Sequence, residues 1–391
     1  MNTVARNEKA PVNPAMLAWA REQSGKTLEE VAANAKFKKI GSWERLESLP
    51  TVNQARDLAS FYNRSFLEFF RTQPPVLKQS EHIPDFRMIR GAPDPHEQPA
   101  LKSIQQWAEA QRENALDLLS ELGEQPKEIH QKFFTTIQES TDIVASRIRN
   151  LISFGFDEQQ RIVYSKKDTL VNILRQKIEN FGVMVIKNNE LQTYKARGMC
   201  FARFPLPVIV FGNESSGAQL FTLLHELAHI VIKQSGVIGY IDKNTDKPIE
   251  KWCDQFAASF LMPIAEVIRV AGNKPVNPVQ NISDETLNSY ARFFRVSAHA
   301  MLIRLVHLGY VEAGYYWDVK KPQFDEEEAN YKSFGRPKYY GSRYKTSLGD
   351  LYTNLVIEAW SAGRITNHNA AEYMGIKNLA HLFDIRDNLH R

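Results

Sequence analysis

Cysteine is nearly missing from this chain. Two occur in 391 residues, Cys200 and Cys253. That is too few for a disulfide framework and fits a reducing compartment. Long apolar runs are missing too. Residues 206–211 and 227–232 are among the longest, far short of the roughly 20 residues a bilayer-spanning helix needs. Residues 1–14 lack the apolar segment of a secretory signal. Charge of one sign is barely in excess, at a formal +4, so nucleic-acid binding has to rest on a motif rather than on composition. There is no internal repeat and no low-complexity tract. These absences lead us to expect a soluble cytoplasmic protein with no membrane partner.

What is present is ordinary for a globular chain: 43% hydrophobic and 24% charged residues, enough for a sizeable core. The length suggests two or three domains. Residues 14–70 carry Leu17, Ala20, Leu28, Val31 and Ala32 at helical spacing, and Thr27 with Glu30 has the form of a capping box. Six prolines follow between 72 and 100 (Pro74, Pro75, Pro84, Pro93, Pro95 and Pro99), a density that reads as an extended linker. Beyond it, Leu101, Ile104, Ala108, Ala115, Leu118 and Leu122 mark a long helix stopped by Gly123. Helices are also expected over 170–181, 216–234 and 248–262, the last capped by Asp246 and stopped by Pro263. Strands are expected over 183–186, 201–204 and 206–211. The acidic run 325–328 reads as a solvated loop. Gly363-Arg364-Ile365-Thr366 reads as a junction between two C-terminal helices.

The fold class expected is therefore α+β and predominantly helical. We divide it into an N-terminal helical domain at 1–71, a linker at 72–100, a central domain with a small sheet at 101–310 and a C-terminal helical module at 311–391.

Chemistry concentrates in Phe221-Thr222-Leu223-Leu224-His225-Glu226-Leu227-Ala228-His229. On a helix, residues four apart share a face. His225 and His229 can thus direct two imidazoles at one ion. Glu226 lies about 100° round the helix from His225, which suits a general base for a water activated by the metal. The competing reading is a buried helix whose histidines only hydrogen-bond in the core. A second constellation weighs against it. Glu250 and Asp254 form an i, i+4 pair on the next expected helix, with Glu250 21 residues after His229. Glu250 can complete a three-ligand zinc site, and Asp254 can accept the other N–H of a ligating histidine. The bland alternative is an exposed acidic stripe opposite Ile249, Trp252, Cys253, Phe256 and Phe260. His368, His381 and His390 have no acidic or cysteine partner at ligand spacing and read as surface or core residues.

An HExxH helix followed by ExxxD resembles the gluzincin metallopeptidases. The fuller pattern, in which Glu250-Lys251-Trp252-Cys253-Asp254 runs on to Leu261-Met262-Pro263, resembles the ImmA/IrrE metallo-endopeptidases more closely. So do Phe211-Gly212-Asn213 and Pro84-Asp85-Phe86-Arg87. The likeness covers roughly residues 14–310. It implies a zincin-like core with one zinc per chain, held by His225, His229 and Glu250. It further implies a site-specific endopeptidase acting on a helix–turn–helix repressor or an antitoxin, in a stress or prophage response. By the same likeness, the strand near 197–204 is a sheet edge that takes an extended substrate. Tyr240 is one of several candidates for stabilising the oxyanion.

Thr27-Leu28-Glu29-Glu30-Val31-Ala32 with Ile40-Gly41-Ser42-Trp43-Glu44 resembles an Xre-type helix–turn–helix. It implies DNA contacts by Lys36, Lys38, Lys39 and Arg45. The segment from Ala32 to Glu44 is about two residues shorter than that pattern, at the part that must enter the major groove. A protein-docking module therefore remains open beside DNA binding. Two further readings stay open for the whole chain: a DNA-binding regulator with a peptidase-like sensing domain, and the toxin of a toxin–antitoxin pair.

Overall fold

The computed structural model describes residues 8–24, 26–62, 64, 66–74, 98–191, 196–234, 236–237, 247–329 and 342–387. Most of the expected linker, Pro84-Asp85-Phe86-Arg87, Tyr240, the cap at Asp246 and His390 lie outside them. Contacts divide the described chain into two units, one drawn from residues up to Glu109 and the other from Ala110 onward. No helix among the described residues is long and apolar enough to cross a membrane.

The first unit contains four short helices, α1 (Pro14–Gln23), α2 (Leu28–Ala32), α3 (Ile40–Glu44) and α4 (Val52–Phe61). Their starts follow local rules. The Asn13 side chain accepts from Ala15 N. Thr27 and Glu30 make the reciprocal capping box expected from sequence, and Thr51 and Gln54 make another. Leu17, Val31, Ile40, Trp43, Leu58 and Phe69 close one core. Helix α5 (Gln98–Leu122) follows and ends at Gly123, whose φ of 75° lies in the left-handed region.

The second unit is also mostly helical, around a small mixed sheet. In chain order its elements are α6 (Thr141–Leu151), α7 (Phe156–Arg161), α8 (Lys167–Asn180), β1 (Met184–Lys187), β2 (Gly198–Phe201), β3 (Val208–Phe211) and α9 (Ser216–Val231). There follow β4 (Gly236–Val237), α10 (Lys247–Leu261), α11 (Ile264–Ala271), α12 (Asp284–Phe294) and α13 (Ala298–His307). The chain closes with α14 (Lys321–Ala329), α15 (Ser342–Ser361), α16 (Asn367–Tyr373) and α17 (Ala380–Asp387). The sheet order is β1-β3-β2-β4. β1 runs parallel to β3, while β2 is antiparallel to both β3 and β4. Helix α9 packs on β2 and β3, α10 packs on α9 and α6, and α8 and α15 pack on β1.

The outer edge of β1 would leave carbonyls open. Arg175 on α8 covers one, donating to Val185 O through Nε at 3.1 Å, and Ser347 Oγ donates to Lys187 O at 2.8 Å. Glu179 accepts from Asp350 N at 3.0 Å. Between these bonds α15 kinks at Gly349 (φ 83°). A Cβ there would meet Val185 O at 2.6 Å, so the kink requires glycine.

Several expected boundaries differ. The strand read at 201–204 lies at Gly198–Phe201, and Leu206 (φ 62°) delays the next strand to Val208. Helix α9 ends at Val231 rather than at 234, because Lys233 takes a left-handed conformation (φ 56°). The expected substrate edge is not open: β2 is interior to the sheet, with β4 pairing to Met199 and Cys200. The acidic run 325–328 is helical, within α14. Glutamate is a good helix former, and the run has no residue that breaks a helix.

Candidate metal centre

Helix α9 starts at Ser215, whose side chain accepts from Ala218 N, and it carries both histidines into the core. His225 and His229 are buried, at 1% and 3% exposure. Helix α10 packs against α9 because Trp252, Cys253, Phe256 and Phe260 face the core. That seating turns Glu250 towards the histidines. His225 Nε2 lies 3.1 Å from Glu250 Oε2, His229 Nε2 lies 3.2 Å from Glu250 Oε1, and the two Nε2 atoms are 3.2 Å apart. Asp254, one turn on, meets His225 Nδ1 at 2.8 Å.

This arrangement fits a divalent metal. The Asp254 carboxylate accepts from His225 Nδ1–H, which leaves a lone pair on Nε2. That lone pair, the second imidazole and the Glu250 carboxylate converge on one point. Three electron-rich atoms this close, two of them on buried imidazoles, repel one another unless a cation lies among them. Tetrahedral zinc with bonds of about 2.0–2.1 Å separates its ligands by roughly 3.3–3.4 Å, close to the three separations found. His229 Nδ1 is buried and has no hydrogen-bond partner among the described residues, so only one of the two imidazoles is visibly oriented from behind.

The electrostatics bear on which residue completes the site. Burial pushes the Glu250 carboxyl up, but the two imidazoles beside it outweigh that and hold it well below the usual range. Burial lowers His229, against the pull of Glu250, which favours the neutral form that a metal takes. Cys253 offers a second candidate. Its Sγ and one nitrogen of each histidine lie within 4.8 Å of one another. Burial drives the Cys253 thiol far above its ordinary pKa, whereas a metal takes the thiolate. The shorter contacts and the ionised carboxylate favour Glu250 over Cys253.

Glu226 is fully buried. It lies against β2, where a Cβ on Gly198 would come 2.5 Å from its Oε1. One turn earlier, Thr222 Oγ1 donates to Glu214 Oε2 at 2.9 Å, and Arg197 Nη1 pairs with Glu214 Oε1 at 2.9 Å. Sequence reasoning missed Gly198, Glu214 and Cys253 as parts of this neighbourhood. A glycine inside an apolar strand is itself a sign of close approach; the other two carry no signal of their own.

The four candidate DNA contacts of the first unit, Lys36, Lys38, Lys39 and Arg45, are all exposed. Lys36 pairs with Asp57 at 2.7 Å and Arg45 with Glu47 at 2.7 Å. Lys38 and Lys39 sit in the turn before α3. That helix has five residues and buries Ile40 and Trp43.

Comparison with known proteins reaches one part of the chain. Residues 178–306 match the family model of the IrrE N-terminal-like domain, Peptidase_M78. The match spans β1 through α13 and includes the whole cluster. It marks this segment as metallopeptidase-like. No curated protein matches the chain in sequence.

Proposed function

We propose that the protein is a zinc-dependent endopeptidase, with His225, His229 and Glu250 as metal ligands, Asp254 as the residue that orients His225, and Glu226 as general base. The observation that carries this reading is the convergence of two buried imidazole nitrogens and a carboxylate at 3.1–3.2 Å. When bound, zinc would polarise a scissile carbonyl and lower the pKa of an attacking water. Glu226 takes the proton from that water and passes it to the leaving amine. Asp254 holds His225 in the tautomer that keeps Nε2 free to ligate. The low dielectric around α9 strengthens each of these interactions.

The substrate is a folded regulatory protein, a helix–turn–helix repressor or an antitoxin, whose cleavage starts a stress or prophage response. The resemblance of the sequence supports this, and so does an N-terminal unit better suited to docking than to reading DNA. Two of its four candidate phosphate contacts are already paired with carboxylates, and α3 is short for a recognition helix.

The test is Glu226→Gln in the full chain. It should retain about one zinc per chain and lose cleavage of candidate repressors. Cleavage that persists at the wild-type rate would refute the general-base assignment.

A further inference from the structure

We infer that Gly198 is a positioning residue of the site: its missing side chain is the seat of the Glu226 carboxylate. The inference rests on the peptidase reading above. Gly198 opens β2 and is buried, and its backbone is not in the left-handed region. Any residue could adopt its conformation, and alanine would stabilise a strand interior by about 0.5–1 kcal/mol relative to glycine. Conformation therefore does not call for glycine here; space does. A Cβ at 198 would lie 2.5 Å from Glu226 Oε1, 3.1 Å from its Cδ and 2.8 Å from Thr222 Cγ2.

Something has to yield, and most of the neighbours cannot. β2 is paired with β3 on one side and β4 on the other. Its entry is tied down as well, with Gly212 N donating to Arg197 O at 2.9 Å and Arg197 paired to Glu214. Thr222 is held by its hydroxyl bond to Glu214. Glu226 alone ends in a flexible carboxylate. Restoring ordinary contact, at 3.4 Å or more, would drive that carboxylate back by about 1 Å. A displacement of this size at a reacting group can cost about 100-fold in rate. Gly198 would thus set where the base stands without touching substrate or metal ligands.

The experiment uses the full chain in a Thr222→Ser background. Serine keeps the hydroxyl for Glu214 and removes the methyl clash, so that only the conflict with Glu226 remains. Against a pool of quenched fluorogenic peptides, adding Gly198→Ala should lower kcat by about 100-fold with KM unchanged. Zinc per chain should stay the same. An arm independent of activity is a melting cycle with Glu226→Ala. Adding Gly198→Ala should lower the melting temperature by about 2–4 °C more when Glu226 is present than when it is absent. If the parent binds zinc yet cuts neither these peptides nor the candidate repressors, the peptidase reading fails, and the melting cycle alone decides the contact. Equal kcat values with and without Gly198→Ala, or additive melting shifts, would overturn the inference.

Discussion

Glu250 and Cys253 lie one helical turn apart on α10, and both approach the histidines. Their substitution should separate them sharply. A structural zinc site of four ligands is worth about 10–16 kcal/mol, or roughly 3 kcal/mol per ligand if shared evenly. Loss of one ligand then weakens zinc by about two powers of ten. Glu250 makes two contacts, at 3.1 and 3.2 Å, one to each imidazole, and is held ionised by them. Glu250→Ala should therefore raise the zinc dissociation constant about 100-fold. Cys253→Ser, with a buried thiol that resists ionisation, should change it by only a few-fold. The assay is competition with a chromophoric chelator on the full chain at neutral pH. Cobalt substitution adds a second readout, because a thiolate ligand gives a charge-transfer band that a carboxylate does not. A large loss of affinity in Cys253→Ser with little effect in Glu250→Ala would refute the ligand set and put His225, His229 and Cys253 in its place.

Asp254→Ala removes the bond to His225 Nδ1 and should weaken zinc by about tenfold, the lower end expected for an outer partner that is itself partly exposed; chelator competition reads it, and unchanged affinity would deny Asp254 its orienting role. Burial pushes the Glu179 carboxyl up to about 7, against the pull of Arg175 and with Asp350 adding to the rise. Its folded pKa thus lies above the unfolded value near 4.5. The associated stability is fully present below about pH 4.5 and is lost as pH rises through 7, a change of roughly 3 kcal/mol. Urea midpoints at pH 5 and pH 8 should differ less in Glu179→Gln than in the wild type, and parallel pH profiles would sink the assignment. Gly349→Ala combines a left-handed φ with a Cβ 2.6 Å from Val185 O, so it should cost at least about 2 kcal/mol in urea unfolding. With Lys36 and Arg45 paired, replacing all four candidates by alanine should lower the salt slope of any duplex binding by no more than about 2, the share of Lys38 and Lys39; a larger drop would restore the DNA-reading role.

How much of this was legible in the sequence depends on the range of the interaction that fixes each feature. The capping box of Thr27 and Glu30 and the helix carrying His225 and His229 are local, and both stand where spacing puts them. Strand limits are less local. β2 begins at Gly198 because its register against β3 pairs Gly198 with Phe211, a partner that no window around residue 200 contains. The helical acidic run shows the reverse failure. Polarity reads as loop where propensity favours helix, and the charge pattern alone does not choose between them.

The site itself divides in the same way. The 21-residue interval from His229 to Glu250 does not by itself bring the two together, since the intervening chain could lead α10 anywhere within reach. What fixes Glu250 is the opposite face of its own helix. Trp252, Phe256 and Phe260 bury against the core, and Trp252 Nε1 donates to Glu139 O at 3.0 Å, which sets the rotation of α10. With that rotation set, an i, i+4 pair at 250 and 254 must present both carboxylates to α9. The apolar pattern of α10 was readable, and so was its acidic pair. Their joint consequence, that packing one face aims the other, turns a spacing into a candidate metal site. The same logic reaches Gly198 only through the sheet. Its neighbour Glu226 lies 28 positions on, and the contact exists because α9 lies across β2. A glycine inside an apolar strand can be flagged from sequence, but the group that fills its empty side-chain space is known only once helix and strand are docked.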